Sequence, residues 1–277
     1  MAIDIREDVL ITLENDIKRI SAEIEVGLNC NGFLFLVYNP LELGGEIIEG
    51  DSRHIYDFLN GLSFRQATIL LHGPGGDFKE GLVITYAFRK KFLTYRSFVP
   101  GICSSALCLP VLKSDGLIIL KDGTITQLDP IFDYEGKPKR AIKHLKDETD
   151  SVLREKANAI FQYSRNEIFK LIETKPSLYD EGKGELDYVI KTDIINSMMN
   201  QNEHSDDVKP IAFEYLPFKV EFKSDEALRK SCDELINSIQ QYLIMTGRRY
   251  CIGTTAKTTM NAHLKDKKME GSLLFCP

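Results

Sequence analysis

ILLHGPGGD (Ile69 to Asp77) and FVPGICSSA (Phe98 to Ala106) decide how this chain reads. The run Thr68 to Leu71 is apolar and ends in His72-Gly73-Pro74-Gly75-Gly76-Asp77, so it predicts a buried strand closed by a glycine turn. A helix is expected from Phe78 to near Leu93, then a second strand from Tyr95 to Val99. That strand closes on Pro100-Gly101-Ile102-Cys103-Ser104-Ser105-Ala106. Strand, helix and parallel strand make a βαβ unit, whose two loops share the carboxyl edge of the sheet. One loop offers bare backbone N–H groups, because glycines let the chain turn and approach a ligand closely. The other offers the hydroxyls of Ser104 and Ser105 at the start of an apolar helix. A nucleophile facing an oxyanion hole is the chemistry this pairing can support.

Upstream, Leu10, Leu13, Ile17, Ile20 and Ile24 repeat at helical spacing within residues 9–24, an amphipathic helix able to pack on its own core or on a neighbouring subunit. Gly32 to Tyr38 is a strand apolar on both faces, and Asp51 to Leu59 a helix opened by an Asp or Ser cap. Downstream come an apolar helix after Ala106, a buried strand from Gly116 to Leu120 and a short strand from Thr124 toward Ile131. Tyr134 to Lys139 is polar with Gly and Pro, and so is expected to be exposed. Helices are expected over residues 150–173, 190–199 and 225–246, with loops at 181–184 and 200–207. Residues 213–222 look extended, and the tail after Gly247 is polar and weakly patterned. The alternation predicts an α/β fold with a mainly parallel sheet surrounded by helices, plus N- and C-terminal helices. The organisation expected is a helix over residues 1–30, a main domain over 31–200 and an extension over 201–277.

With 43% hydrophobic and 27% charged residues, the 277-residue chain has the composition of a soluble globular protein. A formal net charge of −6 and the lack of a basic stripe argue against nucleic acid as partner. No apolar run reaches the roughly 20 residues of a membrane span, and the first residues carry no apolar signal core, so a cytoplasmic protein is expected. Six cysteines are scattered without a CxxC pair, so neither a disulfide framework nor a metal site is expected. No cofactor is implied.

Three stretches in this order resemble the serine dehydrogenase proteinase family of the Clp protease/crotonase superfamily, related to signal peptide peptidase A and the stomatin-operon proteases. They are Ile69 to Asp77, Phe98 to Ala106, and the strand Gly116 to Leu120 followed by Thr126-Gln127-Leu128-Asp129-Pro130-Ile131. The resemblance spans about residues 51–131 and thins by residue 172. It implies a Clp/crotonase-like core of repeated ββα units and Ser105 as nucleophile, with Ser104 the neighbouring alternative. It also implies an oxyanion hole from the N–H groups of Gly75 or Gly76 and of Ala106. Asp129, Leu107 and Cys108 depart from the family's glycine and Gly-Thr positions, and narrow the room near Ser105.

The serine needs a base. The Clp branch takes a histidine from the segment that here reads ThrIleThrGlnLeuAspPro, which has none; His144 and His204 lie elsewhere. The signal-peptide-peptidase branch uses a lysine downstream. Lys143, Lys146 and Lys156 are the candidates, Lys156 first for its small and apolar neighbours and its match to the family's Arg-Lys-Ala stretch, Lys146 second. His72 orients the turn or packs, and Asp77 suits a helix cap. The leading expectation is a serine peptidase of the Ser-Lys dyad type, cutting peptides or unfolded proteins and assembled as a homo-oligomer. A catalytically weak assembly or binding module is the alternative, and a crotonase-like acyl-thioester enzyme ranks behind both. No GxxxxGK motif occurs, so an unfolding motor is not part of this chain.

Overall fold

The apolar runs become neighbouring strands in a computed structural model of the chain, which describes residues 2–146, 149–173, 188–199, 216, 219–255 and 273–276. In chain order, α1 (Ala2–Leu28) leads to β1 (Phe33–Tyr38), α2 (Asp51–Asn60), β2 (Gln66–His72), α3 (Phe78–Lys91) and β3 (Thr94–Val99). The short β4 (Ile102–Cys103) and a 3₁₀ turn (Ser105–Cys108) precede α4 (Leu109–Lys113), β5 (Gly116–Leu120) and β6 (Thr124–Ile125). Next come β7 (Ile131–Tyr134), β8 (Lys137–Arg140), α5 (Ala141–His144), α6 (Ser151–Glu173) and α7 (Tyr188–Met198). The chain continues through β9 (Val220–Lys223), α8 (Glu226–Thr246), β10 (Tyr250–Thr254) and β11 (Leu273–Cys276).

The main sheet runs β11-β10-β1-β2-β3-β5-β9. From β1 through β9 the neighbours are parallel, and β10 and β11 add antiparallel at the β1 edge. Strands covered on both faces are apolar at successive residues instead of alternating. In β1, Leu34, Leu36 and Tyr38 enter one core with residues of α2, α3, α4, α6 and α7. Phe33, Phe35 and Val37 enter the other, with Ile17, Ile20 and Ile24 of α1 and Leu235, Ile239 and Leu243 of α8. Two helix starts obey capping chemistry, whereas α2, expected to open on an Asp or Ser cap, has Gly50 at its N-cap and no side-chain cap bond. Asp77 accepts the Glu80 N–H at 2.8 Å to open α3, and Asp225 accepts those of Ala227 and Leu228 to open α8.

Several expectations are corrected. The terminal helices α1 and α8 pack on each other and on the sheet within one chain, joined by the Tyr242 hydroxyl donating to Glu14 Oε1 at 2.9 Å. Their apolar faces are therefore spent inside the chain. Among the described residues past 201, read as an extension, β9, β10 and β11 lie in the main sheet. Tyr250 to Thr254, read as weakly patterned tail, is fully buried, since β1 supplies a partner strand that local pattern does not reveal. Tyr134 to Lys139 spans the end of β7 and the start of β8; between them Glu135 and Gly136 form the turn, both at positive φ (55° and 73°), as a two-residue hairpin turn demands. The loops read at 181–184 and 200–207 lie outside the described residues. Of the extended stretch 213–222, the described part ends in β9.

Candidate active site

β2 and β3 end at one edge of the sheet, and their loops meet there. Past β2, the Gly73 N–H donates to Ile102 O at 2.9 Å and the Ser104 N–H to Gly73 O at 3.1 Å. This short parallel bridge carries the serine turn alongside the glycine turn. On its other side the glycine turn is held by Ile47. The Ile47 N–H donates to Gly75 O at 2.6 Å and the Asp77 N–H to Ile47 O at 2.8 Å. Gly75 sits at φ +88° and Gly76 at +140°, both in space where a side chain does not fit. A Cβ on Gly75 would lie 2.3 Å from Ser104 O, and one on Gly76 2.4 Å from both the N and the O of Ile47.

The serine turn is itself strained. Ser105 has φ +50°, a left-handed conformation uncommon outside glycine. Ser104 before it is extended, and the 3₁₀ turn begins at Ser105. The Ser105 N–H donates to Thr126 Oγ1 at 3.2 Å, and the Leu107 N–H to Ser104 O at 3.1 Å. Below the turn, Cys103 and Cys108 are buried and free. The Cys108 thiol donates to Cys103 O at 3.0 Å, and burial pushes the Cys103 thiol well up, so it stays protonated. Among the described residues, neither serine hydroxyl makes a hydrogen bond, and the N–H groups of Gly75, Gly76 and Ala106 have no partner.

Of these residues, Gly75, Gly76, Ser104 and Ser105 line a cavity of about 380 Å³, and Ala106 is buried beside them. Gly73 to Gly76, Ser104 and Ser105 form its floor; Asn39 to Glu42 and Glu46 form one wall, and Asp129, Ile131 and Arg140 another. Leu41, Ile102 and Ile131 are exposed apolar side chains at its rim. Asp129 accepts the Ile142 N–H at 3.0 Å and faces Arg140 at 4.0 Å; burial raises its pKa, with the Ile142 N–H and Arg140 opposing. His72 also lines the cavity, and burial drives its pKa down to about 4, leaving a neutral ring.

Of the residues singled out from sequence, Gly75, Gly76, Ser104, Ser105 and Ala106 come together, and His72 joins them. Asp77 caps α3. The lysines do not join. Lys156 is exposed on α6 with Nζ 5.1 Å from the centre of the Tyr134 ring, and Lys146 is exposed after α5. Among the described residues no lysine lines the cavity. Thr126, Ile47 and the Asn39 wall were not anticipated. The Asn39-Pro40 dipeptide after an apolar strand is a turn signal, whereas nothing local marks Thr126 or Ile47. Among the described residues no group of His, Cys, Asp and Glu could hold a metal, and no helix is long and apolar enough to cross a membrane.

No protein-family model matches the chain, and no curated protein does. Among solved structures it is similar to a serine-to-alanine mutant of the 1510-N membrane-bound stomatin-specific protease. That match has 15% identity and a TM-score of 0.45, over 76% of this chain and 84% of the other. It is also similar to a mutant of ClpP1 from Listeria monocytogenes, with 13% identity and a TM-score of 0.40, over 70% and 94%.

Proposed function

We propose that this chain is a serine peptidase with Ser105 as its nucleophile. The observation that carries this reading is the contact of Gly75 with Ser105: a turn with unpaired N–H groups lies against an open, strained serine in a cavity large enough for a peptide. Ser105 Oγ attacks the scissile carbonyl carbon as its proton passes to a base. The resulting oxyanion takes hydrogen bonds from the N–H groups of Ala106 and of Gly75 or Gly76, donors typically worth about 10²–10³-fold each in kcat. Collapse expels the amine with a proton and leaves an acyl-enzyme, which water hydrolyses. A peptide would lie along the Gly75-Gly76 turn, main chain against main chain. The base we assign is a lysine, Lys156 first and Lys146 second. Because both stand outside the cavity, the dyad forms only when the start of α6 or the segment before it swings over Ser105. A homo-oligomer in the cytoplasm is part of the same proposal.

One observation favours a second reading, a catalytically weak binding module: among the described residues no lysine lines the cavity. Treatment with a fluorophosphonate and intact-mass analysis separates the two. The peptidase is labelled once, and the label vanishes in Ser105→Ala but survives in Ser104→Ala. Folded wild type that takes no label is the binding module.

A further inference from the structure

The bridge between Gly73 and Cys103 sets His72 beside Ile102 at the cavity wall, next to the serine turn. Its ring lies with the Nδ1–Cε1 edge on Gly101, where a Cβ would come within 3.1 Å of Nδ1 and 3.2 Å of Cε1. A side chain there would crowd the ring by a few tenths of an ångström, and the glycine Cα–H avoids it. Nδ1 is buried and has no hydrogen-bond partner among the described residues. Among the described residues Nε2 has no partner either and is not buried, and His72 lines the cavity. The charged groups lining the cavity are Glu42, Glu46, Asp129 and Arg140, and none is hydrogen-bonded to His72.

The proton can sit on either nitrogen of a neutral imidazole. On Nδ1 it would be a buried donor aimed at a C–H, with the penalty of an unmade hydrogen bond. With the proton on Nε2, Nδ1 keeps a lone pair against the Gly101 Cα–H, a weak but favourable contact. A doubly protonated ring suffers the first penalty and also buries a charge, consistent with a neutral form at pH 7. A histidine base needs the opposite arrangement, with Nδ1–H held by an acceptor and Nε2 free to take a proton. Among the described residues no such acceptor exists for His72.

We propose that His72 is a substrate-positioning residue, holding its Nε2–H toward the cavity as a fixed donor for a carbonyl oxygen of the bound peptide, and is not the base of Ser105. This rests on the serine-peptidase reading. The neighbouring glycine turn supplies donors for the oxyanion, and His72 supplies one for an adjacent peptide carbonyl.

Two measurements test it. Nitrogen NMR of histidine-labelled wild type, with the resonance assigned through His72→Gln, should show a neutral Nε2–H ring at pH 7; an Nδ1–H ring or a cation there overturns the proposal. Labelling of Ser105 is then compared for a peptidyl diphenyl phosphonate, which carries peptide carbonyls, and a simple alkyl fluorophosphonate, which carries none. In His72→Phe the peptidyl reagent should slow about tenfold, the scale of one hydrogen bond, while the alkyl reagent changes less than about threefold. His72→Gln, which keeps an N–H donor, should recover part of the loss. Equal loss with both reagents, restored by added imidazole in His72→Gly, would make His72 the base and overturn the assignment. Label from both reagents at rates indifferent to His72 overturns this inference alone. No label from either on folded protein overturns the peptidase reading and this inference with it.

Discussion

Gly75 packs directly on Ser105: a Cβ at position 75 would come 2.8 Å from Ser105 Cβ and 3.0 Å from the Ala106 nitrogen. The turn that offers N–H groups and the turn that offers a hydroxyl are therefore one packed unit, and its spacing is set by the absence of a side chain.

Gly75→Ala should break that unit. The left-handed φ alone costs about 1–2 kcal/mol, and the 2.3 Å approach to Ser104 O adds a backbone clash. We expect a loss of at least ~2 kcal/mol in unfolding free energy and no fluorophosphonate label on Ser105. Gly44→Ala is the control. It has a similar φ of +70° but open space around the added methyl, and should cost about 1 kcal/mol with labelling intact.

Thr126→Val removes the acceptor that holds the Ser105 N–H. The strained φ of Ser105 then lacks one of its restraints. Labelling should slow about tenfold while stability falls by only about 1 kcal/mol, the worth of one hydrogen bond. Unchanged labelling would show that packing alone holds the turn.

Asp51 is buried at 1% exposure and takes a two-pronged contact from Arg249, with Nη2 to Oδ1 at 2.6 Å and Nη1 to Oδ2 at 3.1 Å. The same Arg249 Nη1 donates to Glu46 O, the residue before Ile47, which clamps the glycine turn. Arg249→Ala strands a buried carboxylate and should cost about 3–5 kcal/mol by chemical denaturation. Because it also frees the clamp, the surviving folded fraction should label more slowly than wild type.

His72 has a folded pKa of about 4 against an ordinary value of 6.5. The unfolded chain therefore binds this proton first. The neutral ring's contribution to stability is complete above pH 6.5 and is lost as the pH falls from there through about 4. His72→Gln should flatten that part of the stability profile. An equally steep acid limb in the variant assigns it to other groups.

If Lys156 is the base, Lys156→Ala should slow labelling by at least about 10²-fold, the usual scale of base catalysis, with Lys146→Ala close to wild type. Loss in neither variant would set aside the dyad and favour the binding module.

The core strands, the glycine turn after β2 and the Asp77 cap of α3 were legible because each rests on residues within a few positions of one another. An apolar run buries itself, glycines permit the turn, and a carboxylate beside free N–H groups caps a helix. Ser105 and its facing N–H groups were legible for the same reason, since one βαβ unit delivers both loops to the same edge. What the sequence did not show was partnership at a distance. β10 reads as tail until β1 stands beside it, Ile47 is an ordinary apolar residue until it bonds both sides of Gly76, and Thr126 matters only where it meets the Ser105 N–H. The lysines mark the same boundary. Sequence ranks Lys156 by its neighbours, but whether an ammonium reaches a hydroxyl depends on where α6 packs, and in this fold α6 leaves Lys156 over Tyr134 outside the cavity. Backbone geometry and burial act over short range and are written locally, whereas the distance between two side chains on separate elements is set by the packing of the whole fold.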